Sequence, residues 1–147
     1  MRHSAVKKVT PYVVKIQTPS GYGSGVMFTY NKKKGLVAIG TAAHVVEQAD
    51  EWKQPIKIAT ESGDSSPAYL TDDDRVIFVD RERDSATILI NSKHLEFPAL
   101  PLPLIEMDKF FSTGNAVGWL GYPALYPSNL CFFRGYISAF LGSDDCY

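Results

Sequence analysis

The chain has 147 residues, 15 lysines and arginines against 16 aspartates and glutamates, and a formal net charge of −1. That balance gives no basic surplus for a nucleic-acid partner or an anionic membrane surface, and no apolar run approaches the roughly 20 residues that cross a bilayer. With 45% hydrophobic residues, eight Phe, eight Tyr and two Trp, there is bulk for one ordinary domain, or for one small domain and part of another.

At the N-terminus, Met1 to Lys8 lacks the apolar centre of a secretory signal and leads into a strand pattern. For the chain as written this predicts a cytoplasmic location. Tyr12 to Gln17 sets Tyr12, Val14 and Ile16 against Val13, Lys15 and Gln17, the period of a half-buried strand. A second strand is expected from Gly25 to Tyr30, a turn over Asn31 to Gly35, and a returning strand over Leu36 to Gly40. Ala42 and Ala43 are small enough for a sharp strand-to-helix turn, which would hold His44 facing a cleft. A short helix follows over Val45 to Trp52. Strands continue at Ile56 to Thr60, Tyr69 to Leu70, Val76 to Val79 and Thr87 to Ile90. Short Val-, Ile- and aromatic-rich runs between turns predict an all-β domain over residues 1–97, a six-stranded antiparallel barrel. Prolines at alternate positions make 98–103 an extended linker. Beyond it, Asn115 to Leu120 and Cys131 to Leu141 read as two strands around a turn containing Tyr122 and Pro123.

His44, in Thr41-Ala42-Ala43-His44-Val45-Val46, and Asp84, in Asp84-Ser85-Ala86-Thr87-Ile88-Leu89, each sit at the end of an apolar run. A β scaffold there can hold a side chain in one orientation. An imidazole so held takes a proton from a nucleophile, and a carboxylate fixes its tautomer and stabilises the imidazolium that forms. Asp80 and Glu82 lie nearby in a charged loop, but only Asp84 directly precedes a small residue and a buried strand.

Val13-Val14-Lys15-Ile16, Gly23-Ser24-Gly25-Val26-Met27-Phe28 and the His44 segment, in this order and spacing, resemble the opening of trypsin-like serine proteases, especially the HtrA-type branch. The Asp84 segment is similar to that family's aspartate segment, although Ser85 and Thr87 stand where bulkier apolar residues are usual. Val117-Gly118-Trp119-Leu120-Gly121-Tyr122-Pro123 and Gly135-Tyr136-Ile137-Ser138-Ala139 resemble the first hairpin of its second barrel. The resemblance implies a complete first barrel and, over 104–147, the opening strands of a second. It also implies catalytic roles for His44 and Asp84. The glycine-flanked serine loop that supplies the family's nucleophile and oxyanion-hole amides has no counterpart here, so the nucleophile is expected beyond Tyr147.

Other reactive residues have plainer readings. Ser24 lies between glycines, but Tyr22 breaks the GxSxG pattern, and the glycines read as hairpin residues. Ser128 reads as a turn residue and Ser138 as a strand residue. Asp144 and Asp145 oppose thiolate formation at Cys146, and Cys131 and Cys146 are expected as free thiols. His3 reads as terminal and mobile, and His94 as part of a polar loop with Lys93 and Glu96. Neither has companions at metal-ligand spacing, and no cofactor is implied.

The expected function is therefore serine endopeptidase activity in an intact parent. The 147-residue chain alone is expected to be inactive. Its partners would be a protein or peptide substrate and, through the incomplete second barrel, another copy of itself. The alternative is a noncatalytic binding or scaffolding module built on the same barrel.

Overall fold

The computed structural model describes residues 2–61, 66–100, 102–106 and 109–140, with side chains described from residue 4 onward. Helix α1 (Arg2–Val9) and a 3₁₀ turn (Thr10–Tyr12) lead into β1 (Val13–Thr18), β2 (Gly21–Asn31) and β3 (Leu36–Thr41). Helix α2 (Ala43–Glu51) follows. Then come β4 (Ile56–Thr60), β5 (Ala68–Leu70), a 3₁₀ turn (Asp72–Asp74), β6 (Arg75–Asp80) and β7 (Ser85–Asn91). A separate hairpin is formed by β8 (Ala116–Gly121) and β9 (Cys131–Tyr136).

The first seven strands form one sheet in the order β5-β4-β1-β2-β3-β7-β6, antiparallel throughout. Alternate residues face inward. Val14 and Ile16 of β1, Val37 and Ile39 of β3, Ile56 and Ile58 of β4, and Ile88 and Ile90 of β7 are all buried in one cluster with Met27 and Leu70. Helix α2 covers this cluster with Ala43, Val46 and Ala49, spaced three apart so that they share one helical face.

The two edge strands of this curled sheet, β5 and β6, are consecutive in the chain and joined by the Asp72–Asp74 turn. Arg75 fastens the seam. Its guanidinium donates to Leu70 O on β5 at 3.1 Å, to Ala49 O in α2 at 3.2 Å and to Gln54 O at 2.6 Å. The turn before it is a reciprocal cap, with Thr71 donating its backbone N–H and hydroxyl to Asp74 Oδ2 at 2.9 and 2.7 Å.

The all-β expectation stands, and each of the seven strand runs read from the sequence, the short Tyr69–Leu70 run among them, is a strand of the sheet, which thus has seven strands and not the six expected of the barrel. The N-terminus differs more, since Arg2–Val9 is helical and does not run straight into β1. Its Val6 and Val9, with Ala5, line a pocket of about 270 Å³ against Leu120, Phe132 and Arg134 of the hairpin. The local sequence does not announce this helix. The proline-rich segment lies against the sheet, with Phe97 stacked on Tyr30 at 5.3 Å and meeting Tyr12 edge-on at 5.9 Å. The Tyr12 hydroxyl donates to Leu100 O.

Ser138 lies past the end of β9 and is not a strand residue. Ser128 sits in a turn. His94, in the polar turn after β7, faces Asp74 Oδ1 across 3.5 Å with its side chain only 20% exposed, so it packs against the seam turn. Cys131 is a free thiol. Leu141 and Cys146 lie outside the described residues.

Candidate active site

His44 occupies the first turn of α2, directly after β3. That turn starts with an unmet need: four backbone N–H groups at a helix N-terminus lack partners, and the N-cap residue Ala42 has no side chain to offer. Asp84, at the end of the β6–β7 turn, fills it from another element. Its Oδ1 accepts the His44 backbone N–H at 3.0 Å, while Oδ2 faces His44 Nδ1 at 2.7 Å.

The ionised carboxylate accepts and does not donate, so the Nδ1 facing it carries the proton. Nε2 is left with its lone pair directed away from Asp84, as a general base requires. The His44 amide and ring bonds hold the Asp84 carboxyl below the usual carboxylate range, with burial opposing only weakly. The side chains are 69% and 55% exposed, so the base faces open solvent.

Two features fix this pair. Asp84 has φ +47°, a left-handed conformation that aspartate tolerates better than most residues. Small size does the rest: a Cβ on Gly23 would come within 2.4 and 2.8 Å of the Val45 methyls, so β2 and α2 approach closely beside His44 only because residue 23 is glycine. A Cβ on Gly25 would likewise crowd Ile16 and Ile39 at 2.8 and 3.0 Å. These glycines serve close approach within β2. Both also lie in the β1–β2 hairpin, Gly23 opposite Ile16 and Gly25 opposite Val14, in agreement with their reading as hairpin residues.

Ser24 is committed elsewhere. Its hydroxyl accepts the Tyr122 N–H at 2.7 Å, joining β2 to the turn after β8. Around that bond, the Tyr122 hydroxyl donates to Glu61 Oε2 at 2.7 Å, and Tyr22 donates to Ala124 O at 2.9 Å. The Lys15 ammonium lies over both tyrosine rings at 5.3 and 5.8 Å. Burial and the Glu61 carboxylate push the Tyr122 phenol well above its ordinary pKa. This junction between the sheets was not foreseen from sequence, where Glu61 and Tyr122 have no pattern linking them.

Among the described residues, no group of three or more His, Cys, Asp or Glu side chains could hold a metal ion. No described helix is long and apolar enough to cross a membrane.

No family model matches the sequence, and neither does any curated protein. Solved structures do match. The Rv3671c protease in an inactive form superposes with a TM-score of 0.65 at 24% identity, over 94% of this chain and 57% of that one. Deg5 gives a TM-score of 0.69 at 22% identity, over 94% and 62%. A serine-to-alanine, inactive form of Rv3671c from M. tuberculosis H37Rv gives 0.61 at 22% identity, over 89% and 52%. At these identities the likeness is one of fold, which this chain shares with the Rv3671c protease and Deg5. This chain spans 57% and 62% of the lengths of the first two.

Proposed function

We propose that this chain is the base-bearing part of a serine endopeptidase, with His44 as general base and then general acid and Asp84 as its orienter. The observation that carries the reading is the double grip of Asp84 on the His44 ring and amide. In the intact enzyme a serine supplied from beyond Tyr147 gives its proton to His44 Nε2 as its oxygen attacks the peptide carbonyl. His44 then returns that proton to the leaving amine, which leaves an acyl-enzyme. Water repeats the sequence to release the acid. Asp84 stays ionised throughout and stabilises the imidazolium in each step.

Labelling with a fluorophosphonate probe tests this, since the probe reacts only with an activated serine. The 147-residue chain is expected to stay unlabelled, whereas a longer chain continuing past Tyr147 is expected to label and to lose the label with His44→Ala. If the short chain labels and substitution of Ser24, Ser128 or Ser138 removes the label, the nucleophile has been misplaced. A folded longer chain that stays inert would favour the noncatalytic module.

A further inference from the structure

A second contact joins the same two elements that carry His44 and Asp84. Glu47 lies three residues after His44 on α2, and Arg81 lies three residues before Asp84 in the β6–β7 turn. Arg81 Nε donates to Glu47 Oε2 at 3.1 Å. Helix and turn are therefore tied by two parallel rungs, His44 to Asp84 and Glu47 to Arg81.

The second rung adds to what the turn supplies itself. Within the turn the Arg83 N–H donates to Asp80 Oδ1 at 3.1 Å, but the bond at its far end, from Asp84 N–H to Arg81 O, is long at 3.4 Å, and Asp84 itself is a non-glycine residue at φ +47°. The other charged contact in the turn, Arg83 to Asp80 at 2.9 Å, stays within the turn and does not reach the helix. Among the described residues of the turn, Arg81 and Asp84 hydrogen-bond to α2 through their side chains. The Arg81 and Glu47 side chains are 68% and 36% exposed, and an ion pair so placed adds little to global stability. Its consequence is geometric: it limits sliding of the turn along the helix, the motion that would draw the Asp84 carboxylate away from Nδ1.

We infer that Glu47 and Arg81 are positioning residues that hold the Asp84 carboxylate in register with the His44 ring. The inference rests on reading His44 and Asp84 as a base and its orienter, and it gives that site a specific support outside the pair.

The test uses the 147-residue chain labelled with ¹⁵N and reads the protonation of the His44 ring nitrogens by NMR. In the parent chain His44 Nδ1 should carry a protected, hydrogen-bonded proton. Glu47→Gln and Arg81→Ala should each reduce that population by about twofold, the size of effect an exposed ion pair supports, with urea midpoints unchanged. The charge-reversed double variant, Glu47→Arg with Arg81→Glu, should restore it, because a re-formed pair rebuilds the rung and a general loss of structure would not be repaired. An unaltered signal in both single variants, or a double variant as impaired as the singles, would overturn the inference. Asp84→Asn separates the two levels. If it abolishes the signal while the ion-pair variants leave it intact, only the positioning role falls. If the signal survives Asp84→Asn, the base-and-orienter reading falls and the positioning role with it.

Discussion

Asp84 holds His44 by two atoms at once, with Oδ2 on ring Nδ1 at 2.7 Å and Oδ1 on the backbone N–H at 3.0 Å. The first contact selects the tautomer and the second caps α2, so one carboxylate links base chemistry to helix placement. Several substitutions separate these effects.

The carboxyl of Asp84 is held below its ordinary range chiefly by the His44 amide and ring bonds. A group whose pKa is lowered on folding contributes stability above its unfolded value, near pH 4. That contribution is lost as pH falls through the lower folded value. Urea midpoints of the parent and Asp84→Asn should therefore differ near neutrality and converge in acid. A difference that stays constant down to about pH 2 would show that the carboxylate charge is not responsible.

Arg75 makes three hydrogen bonds to main-chain carbonyls from a buried position. Arg75→Ala leaves Leu70 O, Ala49 O and Gln54 O without these donors and opens the seam between β5 and β6. The expected loss is about 3 kcal/mol of unfolding free energy. Arg75→Lys should recover only part of it, since an ammonium cannot reproduce the planar fork. Equilibrium denaturation reads both, and a loss below about 1 kcal/mol for Arg75→Ala would contradict the seam assignment.

Gly23→Ala places a methyl against Val45 and should cost about 1 to 3 kcal/mol by overpacking. Since Val45 adjoins His44, the His44 ring resonances should shift as well. Gly40→Ala offers the contrast, because a Cβ there meets only ordinary contact distances, the nearest being Phe28 Cδ1 at 3.5 Å. Equal effects at the two positions would contradict the close-approach account.

The β8–β9 hairpin exposes Trp119, Phe132 and Tyr136, and among the described residues each of its strands is paired on one side only. Apolar surface and unpaired backbone together favour association. Sedimentation velocity of the 147-residue chain should show self-association that weakens with Trp119→Lys or Phe132→Lys. A monomer across a wide concentration range would count against it.

The candidate pair was legible because it depends on local patterns: small residues at a strand-to-helix turn mark His44, and a buried strand beginning with a small residue marks Asp84. The strands of the curled sheet were legible for the same reason, since a period of two is written into β1, β4 and β7. Contacts between distant segments were not. Arg75 follows three aspartates and reads as one more charge, yet its guanidinium closes the sheet. Helix α1 has no capping signal, and it lines one pocket together with a hairpin more than 100 residues away in sequence. Glu61 and Tyr122 acquire meaning only when the second sheet docks on the first.

Hydrolysis by the longer chain tests the central claim most directly. Peptide cleavage, measured as kcat/KM, should fall by about 10³-fold or more with His44→Ala, and comparably with Asp84→Asn, whose amide would present a donor to Nδ1 and select the wrong tautomer. Loss in kcat with KM little changed is expected, because the pair acts in the transition state. If a folded longer chain cleaves peptides and both variants retain activity within about tenfold of the parent, His44 and Asp84 are not the base and its orienter.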